Sequence, residues 1–322
     1  MPRIMVGMST YQQAPRVALQ DAPEITHRHG WWWKGLLAGL LLWGLSIVVT
    51  IVTLNTNLVP TLILVGSFLV PFAVVLFAAE RISRNFTVTH LIVAFFVSGV
   101  LGVLGASLLE SRLQATPLLY FGVGLIEEAV KAVLLIVVGR SLVPKTARQG
   151  ALLGATVGAG FAAFESAGYA FNAAITSQGI SLASLLQSEV LRALLTPLGH
   201  VLWTAVFGAA LFAAARDGRR YRITLGVIGV FLGVSILHAL WDSMSGIASI
   251  LAVVITGNAV PALEYGMLRP GTGAAVQELT FAFYVVGLAV LSVIGILTLV
   301  GLVRRRHRRD AEVVDAHYAG SA

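Results

Sequence analysis

The chain has no cysteine among its 322 residues. Disulfides and thiolate zinc sites are therefore excluded, and any metal must be held by His, Asp or Glu. Charge is the second scarcity: Asp, Glu, Lys and Arg make up 11% of the residues, against about 25% in an average soluble domain. Acidic side chains are the rarer kind, 15 against 22 basic, which leaves a formal charge of +7. So few charges do not cover a soluble surface, whereas 57% hydrophobic residues suit helices that face lipid. The 33 glycines fit that setting, because glycine lets membrane helices approach closely. The basic excess does not point to nucleic acid, since Lys and Arg lie in short loops between apolar runs, where they set topology.

A membrane-crossing helix needs about 20 apolar residues. Such runs fall near residues 33–54, 59–79, 88–109, 118–139, 150–172, 194–215, 223–256 and 279–303. The expected fold is an all-α polytopic transmembrane bundle of about eight spans with both termini cytoplasmic. It has a polar tail over 1–30, a bundle over 31–303 and a basic tail over 304–322. No small-residue cleavage motif follows the first run, which reads as an uncleaved helix anchored at the interface by Trp31, Trp32, Trp33 and Lys34. With this layout 18 of the 22 Lys and Arg fall on one side, Arg112, Arg192 and Arg269 on the other, and Lys131 within the membrane. The positive-inside rule makes the richer side cytoplasmic. Residues 173–192 are too polar to span, and Leu182, Leu185, Leu186 and Val190 recur at the spacing of a short interfacial helix. The run 223–256 is long for one straight crossing, and Ser243 to Gly246 offer a place for a break or a re-entrant end.

The few charges left inside apolar runs are concentrated. Glu127, Glu128 and Lys131 sit at the centre of 118–139, and Glu165, His200, His238 and Asp242 occupy three later runs. A helical rise of about 1.5 Å per residue puts Glu127, Glu165 and His200 roughly 9 to 14 Å below the outer boundary. His238, roughly 22 Å above the inner boundary of a core about 30 Å thick, falls at a similar depth. Each charge costs roughly 2.5 to 3.5 kcal/mol at the bilayer centre, so this layer predicts one shared site. Glu127 and Lys131 are i, i+4, Glu128 and Lys131 i, i+3, and His238 and Asp242 i, i+4, so each pair shares a helix face. Adjacent helical residues point about 100 degrees apart, which gives Glu127 and Glu128 different tasks, one working and the other supporting. The plainer alternative for Glu128 and Lys131 is a buried ion pair that fixes helix register. Phe161, Trp203 and Trp241 read as supporting aromatics.

Two histidines with carboxylates suit Zn²⁺ when sulfur is absent, with Glu165, His200, His238 and Asp242 as candidate ligands and a free glutamate as general base. Metal-bound water ionises near pH 7, and the chemistry implied is hydrolysis inside the membrane. Membrane carboxylates and histidines also form proton relays, so a proton- or cation-coupled transporter is the alternative, although no inverted repeat of spans is evident. A non-catalytic scaffold would be expected to carry an eroded site.

The motifs Glu127-Glu128-x-x-Lys131, Phe161-x-x-x-Glu165, His200-x-x-Trp203 and His238-x-x-Trp241-Asp242 resemble the PrsW family of intramembrane proteases, distant relatives of the CAAX-processing and bacteriocin-processing membrane endopeptidases. The resemblance covers about residues 118–245. It implies a multi-pass protein of the cytoplasmic (plasma) membrane that cuts a membrane-protein substrate within the lipid bilayer, as in site-1 cleavage of an anti-sigma factor. It marks Glu127 and Glu128 as the catalytic pair and Glu165, His200, His238 and Asp242 as completing the site. The family name implies a metalloprotease, whereas the CAAX-type relatives point to glutamate activating water without metal. CAAX-type relatives tend to have His where this chain has Glu165.

Overall fold

A computed structural model describes residues 30–82, 86–116 and 118–319. Apart from Gly30, the polar tail expected over 1–30 lies outside the described residues. Among the described residues ten α-helices follow one another: α1 (Trp31–Thr53), α2 (Val59–Ala79), α3 (Val88–Glu110), α4 (Leu119–Gly139), α5 (Ala147–Ala174), α6 (Leu182–Leu195), α7 (His200–Ala213), α8 (Leu225–Ile255), α9 (Ala259–Tyr265) and α10 (Gly273–Ala319). The starts are set locally. Thr87, Thr146, Ser181 and Thr224 are N-caps of α3, α5, α6 and α8, each side chain accepting a hydrogen bond from the backbone N–H three residues on. The expected class, an all-α membrane bundle, is what the chain forms.

Among the described residues seven helical runs are long and apolar enough to cross a membrane, one of them the combined run Leu182–Ala213. The 21-residue α4 matches them in length but carries Glu127, Glu128 and Lys131, all turned into the protein. The layers follow apolarity. α7 is buried at every position from Val201 to Ala213 and forms the centre, while α1 buries only Thr50 and lies outermost against α2.

Two close helix contacts position the polar layer. Gly150, Gly154 and Gly158 form a stripe of small residues on α5 that lies directly on the α7 backbone. A Cβ on Gly154 would collide with the Thr204 carbonyl, and one on Gly158 with the carbonyl of His200. The start of α7 is thereby fixed against α5. Gly124 does the same for α4 and α8, where an added Cβ would stand 2.8 Å from the Ser235 oxygen and 3.0 Å from the Ala239 nitrogen. Glu127 and Glu128, one turn along α4, are brought to His238.

The helix break falls elsewhere than expected. α8 runs unbroken through Ser243–Gly246, because small residues keep their backbone donors; Ser243 Oγ only bonds back to the Ala239 carbonyl at 2.7 Å. The interruption comes between α6 and α7, where a 3₁₀ turn, Thr196–Leu198, leads to Gly199 at φ −102°, ψ −114°. Pro197 there has no N–H to continue a ladder. The interfacial helix expected over 173–192 is a two-strand hairpin, Ile175–Thr176 with Gly179–Ile180, followed by α6, which packs on α5 and α2. The last helix passes through the basic cluster to Ala319, and Asp310 accepts a 2.9 Å hydrogen bond from the Ala147 N–H at the start of α5.

Candidate active site

Every polar residue singled out in the apolar runs reaches one chamber. From α4 come Glu127, Glu128 and Lys131, which are 5%, 2% and 0% exposed. Glu165 comes from α5, His200 from the first residue of α7, and His238 and Asp242 from α8. Lys131 Nζ donates to Glu128 Oε1 at 2.8 Å and to Glu127 Oε2 at 3.3 Å, and it lies 2.9 Å from His200 Nδ1. It also stands 4.3 Å from the centre of the Phe161 ring, a favourable place for a cation. Both carboxylates of α4 therefore share one lysine, and the ion pair that was the plainer alternative is one part of a larger network.

The histidines are held from behind by carboxylates. His200 Nε2 is 2.9 Å from Glu165 Oε2, and His238 Nδ1 is 3.0 Å from Glu128 Oε1. The nitrogens left to face the chamber, His200 Nδ1 and His238 Nε2, stand 3.8 and 3.7 Å from Glu127 Oε2. Asp242 Oδ2 is 3.4 Å from the same His238 Nε2. The two imidazoles meet edge to face with centroids 5.0 Å apart, and Trp203 and Trp241 stack in the same manner at 5.9 Å beside them.

A divalent metal fits this donor set by chemistry. Glu127, His200 and His238 each offer a ligand atom, all within 4.8 Å of one another. A carboxylate on the far nitrogen of each histidine is the outer arrangement that fixes ring orientation around metals. The set differs from the expected one: Glu127 joins the histidines, Glu165 stands behind His200, and Asp242 stands beside His238. Spacing within a helix could not rank these carboxylates, because the ranking depends on how α4, α5 and α8 are turned about their axes.

A cavity of about 340 Å³ reaches the histidines. Tyr169, Arg192, His200, Trp203, His238 and Asp242 line it, and Asp242 is the only one of the site's four carboxylates in its wall. Arg192 was missed by sequence reasoning, which counted it as an outside topology charge. Its Nε donates to Ser166 Oγ at 2.7 Å, its Nη2 pairs with Glu165, and its guanidinium carbon lies 4.3 Å from the centre of the Tyr169 ring. The available signal was a lone Arg in the otherwise apolar stretch 190–195.

A bundle of apolar helices that shuts four carboxylates, two histidines and a lysine into one chamber is a polytopic membrane protein with an enzyme-like interior. The family model described as PrsW family intramembrane metalloprotease matches residues 84–267, more than half of the chain, and the chain belongs to that family. It is a protease of the membrane, which decides against the transporter and scaffold alternatives. Neither a curated protein nor a solved structure matches it.

Proposed function

We propose that the chain hydrolyses a peptide bond in or beside the membrane segment of another membrane protein, with the cavity against His200 and His238 as the place of cleavage. The observation that carries this reading is that Glu127 meets His200 and His238, and that these two histidines line a cavity together with Asp242. Glu127, His200 and His238 would hold a divalent metal, which when bound supplies a water ionising near pH 7 and a Lewis acid for the scissile carbonyl. Zn²⁺ suits these ligands.

With Glu127 facing the histidines, Glu128 on Lys131 and Glu165 on Arg192, Asp242 is the carboxylate left to the cavity. It accepts the proton as water oxygen bonds to the carbonyl carbon, and returns it to the nitrogen as the C–N bond breaks. Glu165 and Glu128 hold the two imidazoles. The guanidinium of Arg192, with Nε and Nη2 committed, presents its remaining donors along the cavity wall. Helical amides are closed to water in hydrocarbon, so the substrate must unwind locally to enter. The family resemblance favours a single-pass substrate of the anti-sigma-factor type in the plasma membrane.

The test is cleavage of single-pass substrates by the purified full chain in liposomes, with metal content measured on the same samples. Asp242→Asn is expected to lower kcat/KM by about 10²- to 10⁴-fold and keep its metal. Glu127→Gln is expected to lose both. Full cleavage by both variants would overturn the site, and a fully active wild type without metal would overturn its metal-centred reading.

A further inference from the structure

Lys131 lies where the metal ligands converge. Its Nζ is fully buried, 3.3 Å from Glu127 Oε2 and 2.9 Å from His200 Nδ1. Lysine brings three donors and no acceptor, so the close contact with His200 requires Nδ1 to be the accepting nitrogen. The imidazole proton then sits on Nε2 and is donated to Glu165 Oε2 at 2.9 Å. An imidazole nitrogen has one lone pair in the ring plane, and that of Nδ1 is spent on Lys131. The lone pair cannot serve an ammonium and a metal at once. A Zn–N bond of about 2.0 to 2.1 Å also leaves no room for a second cation on the same atom.

The geometry points to Lys131 as a built-in competitor for the divalent ion: its side chain occupies the His200 nitrogen and the Glu127 oxygen that the ion needs, and the ion loads only when Nζ withdraws. Glu128 makes the withdrawal feasible. It is outside the Glu127, His200 and His238 triad, it binds Nζ at 2.8 Å, and it keeps a partner for the lysine when the other two contacts are given up. This gives the adjacent glutamates separate tasks, Glu127 as ligand and Glu128 as holder of the displaced lysine. It rests on the metal-centred reading of the site above.

Zinc binding to the detergent-solubilised full chain, measured by equilibrium dialysis against a competing chelator and without substrate, tests the competition. Lys131→Met is expected to bind one Zn²⁺ per chain at least tenfold more tightly than wild type. Lys131→Arg, which restores a cation and donor, is expected to bind as weakly as wild type, and Lys131→Met with Glu127→Gln to lose the gain. Where Lys131→Met does not give monodisperse protein, Lys131→Gln, which removes the cation but keeps a polar partner for Glu128, carries the same expectation. Equal affinity in wild type and the Met variant, or no zinc bound by either, overturns the proposal. Because the readout needs no substrate, it can fail while cleavage stands, or hold while no cleavage is found.

Discussion

At the scale of single residues, the site is a chain of shared partners in which the neighbours of a group matter as much as its own chemistry. Glu128 receives both Lys131 and His238. Glu128→Gln is expected to leave Lys131 short of an anion in the interior, where breaking a buried pair costs about 3 to 5 kcal/mol. A lowered unfolding temperature in detergent would show this. Arg192→Gln is expected to free Glu165 and lower kcat/KM by about 10- to 100-fold. Arg192→Lys should not restore activity, since one ammonium does not reproduce a guanidinium fork that grips Ser166 and Glu165 together; full activity of the Lys variant would remove Arg192 from the site. The identities of Glu127, Glu128, Lys131, Glu165, His200, His238 and Asp242 could be picked out of the sequence because an ionisable side chain in an apolar run is conspicuous. Arg192 could not, because the same scarcity argument assigned it to a loop.

Among the elements, the contact of α5 with α7 carries the greatest sensitivity. Gly158→Val is expected to force α7 away from α5 and move His200 off Glu165. Overpacking typically costs about 1 to 3 kcal/mol. Gly168→Ala on the same helix, where an added Cβ meets nothing within 4 Å, serves as the tolerated control in the same melting assay. The expected lengths of α1 to α5 follow from the apolar runs, which extend to within a few residues of the observed helices. The boundary expected near residues 192–194 falls a few residues later, between α6 and α7, and its cause at Pro197 was not foreseen. The length of 223–256 suggested a kink there, whereas a helix that keeps every donor bends little, and it is Pro197, which has no N–H to donate, that interrupts the chain one element earlier.

For the molecule as a whole, the alternation of α5, the α6–α7 run and α8 places the hairpin at Gln178 and the turn at Arg219 at opposite ends of the bundle. A chain without cysteine is its own background for accessibility mapping. Gln178→Cys and Arg219→Cys are expected to react with an impermeant maleimide from opposite faces of oriented vesicles, Gln178 from the outer one; labelling of both from one face would overturn the crossing of the sixth run. The amino-acid sequence by itself determined the membrane class, the long apolar helices and the polar residues set inside them, because hydropathy and charge placement are read along one dimension. Only the tertiary structure decided which groups touch: that Glu127 joins the two histidines, that Glu165 and Glu128 stand behind them, that Lys131 lies among the donors and that Arg192 pairs with Glu165. Those contacts depend on how each helix is rotated about its own axis, and the rotation is set where the glycines of α4 and α5 let one backbone rest on another.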